Sequence, residues 1–95
     1  GVLSQTVNTL GQTVQRTLDT SGNIVEQTLN SAGSVVNTRT VGRLLDLPVI
    51  RESTNSAGQA VKQVRDQSGA VIEYVLDDAG RIVRSRVVQA AGTRR

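Results

Sequence analysis

Cysteine, histidine, methionine, tryptophan and phenylalanine are all missing from the 95 residues, and Tyr74 is the one aromatic side chain. Each absence excludes something. Without imidazole or thiol there is no ordinary nucleophile-base pair and no set of zinc ligands, so neither a metal centre nor a catalytic constellation can be assembled from motifs here. Without cysteine there is no disulfide framework. Without large rings the core must be made of Val, Ile, Leu and Thr methyl groups, a thin interior for a chain this short. Such an interior borrows stability from neighbouring repeats or from other copies of the chain. No apolar run approaches the roughly 20 residues that span a bilayer, and no signal peptide is present. The chain opens on Gly1 instead of Met. With its Ser, Thr, Asn and Gln content, this points to a processed, secreted product at a bacterial surface or outside the cell.

What is present is a repeat. Gly11, Gly22 and Gly33 stand eleven residues apart, and Gly58, Gly69 and Gly80 resume the same step. The clearest copies run Asp19-Thr-Ser-Gly-Asn-Ile-Val-Glu-Gln-Thr-Leu29 and Asp66-Gln-Ser-Gly-Ala-Val-Ile-Glu-Tyr-Val-Leu76. Internal periodicity decides architecture before other signals do. Removing Leu44-Leu45-Asp46 from the interval between Gly33 and Gly58 restores the register and uncovers a degenerate fifth unit, with Leu47 in the glycine position and Pro48 after it.

An eleven-residue period also fits about three helical turns, so a lipid-surface helix is the competing interpretation. Strand is the better one. A glycine in every unit costs a helix about 1 kcal/mol relative to alanine. The Asp/Asn-x-x-Gly segments favour a type I turn closed by a positive-φ glycine bulge, and the apolar residues are chiefly β-branched. The expected fold is all-β: eight strand-turn repeats, as a meander or a solenoid-like stack, in two sets of four split by a bend at 42–48. By segment, this gives β-repeats 1–43, an insertion at 44–48, β-repeats 49–91 and a basic tail at 92–95. The layers pack within one chain or between copies.

Counting each glycine as position zero, positions three and seven share a face and form the expected assembly core: Leu3, Val14, Leu18, Val25, Leu29, Val36, Ile50, Val61, Ile72, Leu76, Val83 and Val87. If position four faces position four across strands, Lys62, Glu73 and Arg84 make a ladder of alternating charge; position two then faces six, joining Val71 to Val64 and Ile82 to Val75.

Charge is balanced over the first half. The net +3 accumulates in the second, through Arg81, Arg84, Arg86, Arg94 and Arg95. A basic end can meet acidic polysaccharide or an anionic surface, or serve as a solvated edge that blocks unwanted strand pairing. Nucleic acid is not expected, because a single tyrosine makes no stacking platform. Asp19, Asp66 and Asp77 fall at turn positions, Asp77-Asp78 lacks the repeat of a calcium-binding roll, and the glycines are not followed by the Lys-Ser/Thr of a phosphate loop. Lys62 and Glu73 read as a salt bridge, not an isopeptide pair. No cofactor or metal is expected, and no enzymatic activity.

The stretch Leu76-Asp-Asp-Ala-Gly-Arg-Ile82 resembles the Tyr-Asp-x-x-Gly-Arg unit of bacterial YD/Rhs repeat proteins, which implies β-hairpin sheets outside or around cells. The polar repeats are also similar to those of secreted fibre subunits that stack strands into amyloid-like biofilm filaments. Together these imply a structural, self-assembling extracellular subunit whose partner is itself. The alternative is a stalk or spacer module of an adhesin or phage fibre.

Overall fold

The computed structural model describes residues 2–91; the basic tail at 92–95 lies outside them. The expected all-β class holds. The strands are β1 (Val2–Val7), β2 (Thr13–Leu18), β3 (Asn23–Leu29), β4 (Val35–Arg43), β5 (Val49–Thr54), β6 (Ala60–Arg65), β7 (Val71–Leu76) and β8 (Ile82–Gln89), with a 3-10 turn over Leu44–Asp46. They form two antiparallel four-stranded meanders, β1 to β4 and β5 to β8, each in chain order.

The turns account for the repeat. Each of the six hairpins closes on a glycine with φ between 79° and 95°, a conformation that a side chain disfavours by about 1–2 kcal/mol. Three residues earlier an Asn or Asp accepts two backbone N–H groups through its own side chain. Asp19 Oδ1, for instance, takes the N–H of Ser21 (2.9 Å) and of Asn23 (2.8 Å). The turn residue thus satisfies donors that the ladder leaves over.

The same turns overturn the expected register. A type I turn followed by a glycine bulge holds three residues in its loop, so Asp66 pairs back to Ala70 and the ladder is displaced by one residue from the symmetric pairing. Val64 therefore opposes Ile72, not Val71, and Leu76, not Val75, opposes Ile82. The charge ladder fails for this reason. Lys62 lies opposite Tyr74 and Arg84 opposite Val75, while Glu73 stands between Gln63 and Arg86. A one-residue displacement also inverts faces from strand to strand, so positions three and seven do not share one face. Val14 and Leu18 lie on the Ile24 side of the first sheet, and Val25 and Leu29 on the other.

Each pairing of the second sheet repeats one of the first 47 residues later: Arg16–Glu26–Arg39 becomes Gln63–Glu73–Arg86, and the irregularities in register recur at the same places. Yet the two sheets meet through different faces. The first contributes Leu18 and Ile24, the side that carries Glu26. The second contributes Val64, Ile72, Tyr74, Leu76 and Val87, the side away from Glu73. The contact is thus face to back, a heterologous pairing of two like units.

Substitutions between the copies make this pairing one-way. Leu18 is Arg65 in the second sheet, while Val64 and Tyr74 are Thr17 and Gln27 in the first. At these three positions a polar residue stands in the copy whose equivalent face is outermost, whereas Val25 and Leu29 remain apolar there. The sheets overlap only in part, since the long axis is 47 Å and strands of six to nine residues span about 20–30 Å. The β2–β3 turn lies on the second sheet, where a Cβ on Gly22 would come 2.6 Å from Ile82 Cδ1.

The segment treated in the sequence as a removable insertion belongs to the core. Leu44 is fully buried, its N–H bonds the Gly22 carbonyl at 2.9 Å, and Leu47 packs against the same cluster.

Candidate interaction surfaces

The twelve residues expected to form one assembly core are distributed over three environments. Leu3 and Ile72 are fully buried, and Leu18, Leu76 and Val87 pack against the same cluster, so these five stabilise the chain's own core. Val14, Val25, Leu29 and Val61 are half-buried on sheet faces. Val36, Ile50 and Val83 are about half exposed at strand irregularities. Gly11, Gly22, Gly33, Gly58, Gly69 and Gly80 all occupy turns, as read.

Three uncharged cross-strand rows cover most of the outer face of the first sheet, Gln5–Gln15–Gln27–Thr38, Thr17–Val25–Thr40 and Val7–Thr13–Leu29–Val35, with the Asn23–Arg43 pair at one end. The outer face of the second is basic, with rows Arg51–Gln63–Glu73–Arg86, Ser53–Val61–Val75–Arg84 and Arg65–Val71–Gln89. Strands β4 and β5 form open edges, each paired on one side only, and every residue of β5 is exposed. At the opposite edges, the Ala91 N–H reaches from beyond β8 to the Leu3 carbonyl of β1 at 2.8 Å.

Protein-family models, curated proteins and solved structures yield no match to this chain. Any role must therefore be argued from these surfaces.

A cleft of about 520 Å³ opens where the β6–β7 turn overhangs the first sheet, lined by Thr6, Val14, Arg16, Glu26, Gln67 and Ser68 among others. Its charges are already engaged. Arg16 Nε donates to Glu26 Oε2 at 3.2 Å and Arg39 to Glu26 Oε1 at 3.0 Å. Burial pushes the Glu26 carboxyl up, but the Arg39 and Arg16 hydrogen bonds and charges outweigh it and hold the group below its ordinary value. Glu73 is held low by Arg86 (3.1 Å) and Gln63 (3.2 Å). Asp19 and Asp77 are held low chiefly by the backbone N–H groups of Asn23 and Arg81.

These are depressed carboxylates, so their contribution to stability is present above the unfolded-state values near pH 4 and is lost as pH falls through the lower folded values. The urea midpoint should hold steady from pH 7 to about pH 5 and then drop toward pH 2.5; a flat profile over that range would contradict these assignments.

Sequence reasoning missed two features. Asp66 has the same turn role as Asp19 but is 7% exposed at the sheet junction, with Oδ2 unbonded among the described residues. Nothing local distinguishes the two aspartates. Leu44 and Leu47 did leave a signal: leucines in an apparent linker, in a chain with few large apolar residues, are more plausibly core.

Proposed function

We propose that the chain is a structural subunit that self-associates into an extracellular β-rich filament. The observation that carries this is the pair of open edges, β4 and β5. An unpaired strand presents a row of free N–H and C=O groups, a template for another chain. The edges are non-equivalent and belong to different sheets, so addition of β4 from one copy to β5 of the next is heterologous and need not close. Val35, Val36, Val49 and Ile50, between 41% and 53% exposed, supply apolar surface along these edges, and the largely uncharged outer face of the first sheet offers a further layer contact. The extracellular, biofilm-type setting comes from composition and from the resemblance to secreted fibre subunits.

A Val36→Lys/Ile50→Lys double variant should keep its unfolding free energy, from urea titration, within about 1 kcal/mol of the parent, because both side chains are about half exposed. By electron microscopy it should lose filaments. A parent chain that keeps the mass of one chain in size-exclusion chromatography at high concentration would overturn the reading.

That outcome would favour the second reading, a spacer within a longer β-repeat stalk. Its support is the 47-residue displacement between two otherwise matching registers, the pattern expected of tandem units in one stalk.

A further inference from the structure

We propose that the outer face of the second sheet binds an anionic polysaccharide, independently of whether the chain forms filaments. Four arginines project from this face: Arg51 on β5, Arg65 on β6, and Arg84 and Arg86 on β8. All four residues are exposed. Only Arg86 has a carboxylate, Glu73, within ion-pair distance; Arg51, Arg65 and Arg84 have none among the described residues. The one acidic residue in these rows is therefore already engaged.

The first sheet shows what the strands tolerate at these positions, although there the equivalent face is the one turned toward the other sheet. At the positions of Arg51, Arg65 and Arg84 it carries Ser4, Leu18 and Asn37 in the same register. The fold is built with serine and asparagine at two of these positions, so arginine there is not a demand of the architecture. Solubility alone would be served by mixed charges. This face instead repeats one residue type, whose planar fork matches a carboxylate or sulfate by paired hydrogen bonds.

The layout suits an extended polymer. Arg84 and Arg86 are two residues apart on one strand, about 7 Å, and Arg51 stands across the sheet, three strands away in the same row as Arg86. Between them Val61, Gln63, Val75 and Glu73, the last paired with Arg86, form a floor with two shallow depressions, of about 200 Å³ beside Arg51 and about 60 Å³ beside Arg84 and Arg86, and Glu73 lines both. Nucleic acid fits less well. Single strands gain affinity from aromatic stacking, and Tyr74 points from the opposite face and is 2% exposed. The groups left to recognise are anionic substituents on a ring backbone that needs no stacking partner.

The test uses the full chain at low salt against heparin and polygalacturonate, with dextran, single-stranded polyadenylate and duplex DNA as the other probes. The expected result is salt-sensitive binding to at least one acidic polysaccharide, with weaker binding to both nucleic acids and none to dextran. Arg51→Gln/Arg84→Gln should weaken polysaccharide binding at least tenfold. Arg43→Gln/Arg81→Gln carries the same net charge but alters residues paired elsewhere, with Asp46 and Asp77, and should change binding less than twofold. Equal losses in the two double variants would mean that net charge alone is responsible and would overturn the proposal. Absence of polysaccharide binding, or tighter binding of nucleic acid, would do the same. Filament yield without polysaccharide reports on self-association separately.

Discussion

Leu44→Ala should lower the thermal midpoint by on the order of 15 °C, whereas Leu45→Ala should leave it nearly unchanged. The two leucines are adjacent in a three-residue 3-10 turn, but Leu44 is fully buried and Leu45 is 55% exposed. Truncating a buried leucine costs about 2–5 kcal/mol, from lost transfer energy and from the cavity left behind. At about 4–8 °C per kcal/mol for a domain of this size, a mid-range loss gives the stated shift. Collapse around the site is limited. Leu44 is anchored by its N–H bond to the Gly22 carbonyl, and its Cδ1 lies 4.0 Å from where a Cβ on Gly22 would stand. The exposed neighbour should cost less than about 0.5 kcal/mol. If thermal unfolding followed by circular dichroism showed the two variants alike, Leu44 would not be the plug between the sheets.

That contrast marks how far the sequence could be read. The Asn/Asp-x-x-Gly signals located all six turns because they act locally: a side chain that accepts N–H groups and a glycine with positive φ leave the same trace wherever they occur. Strand number and the break between two sets of four came from their spacing. Register did not, because it depends on how many residues each turn and bulge removes from the ladder. Leu3, Val36, Val41, Ile50, Val83 and Val88 each fall where the pairing skips a residue. With an even-odd side-chain period, each skip moves the residues beyond it to the other face, so Glu73 found Arg86 instead of Arg84.

Which face is inside was harder still. Both faces carry valine and both carry polar residues, and the choice emerges only when positions 47 apart are compared as interior and exterior. Leu18 against Arg65, and Gln27 against Tyr74, then identify the side of each sheet that is covered. The basic face became visible by the same comparison. In the linear sequence its arginines are separated by up to 35 positions, between Arg51 and Arg86.

Placing an aspartate at either of two isoleucine-like positions of the repeat should separate folding from assembly. Ile72 and Val25 are equivalent, 47 residues apart, and both were expected to line an interface between copies. Ile72 is instead fully buried in the chain's own core, between Val64 and Val87. A carboxylate there has no cationic partner in its row, and burying an unpaired charge costs several kcal/mol even after relaxation. Stability for a chain of this length is roughly 5–14 kcal/mol, so Ile72→Asp should largely unfold the protein, and any loss of filaments would follow from that. Val25 is half-buried on the largely uncharged outer face, flanked by Thr17 and Thr40. Val25→Asp should cost about 1 kcal/mol and leave the strand signal in circular dichroism intact. Its effect on filaments is then informative. If yield falls at least tenfold in a folded variant, layers join through this outer face; if yield matches the parent, growth runs through the β4 and β5 edges alone. A folded, cooperative Ile72→Asp variant would contradict the face-to-back core, because that core hides Ile72 completely while leaving Val25 partly open.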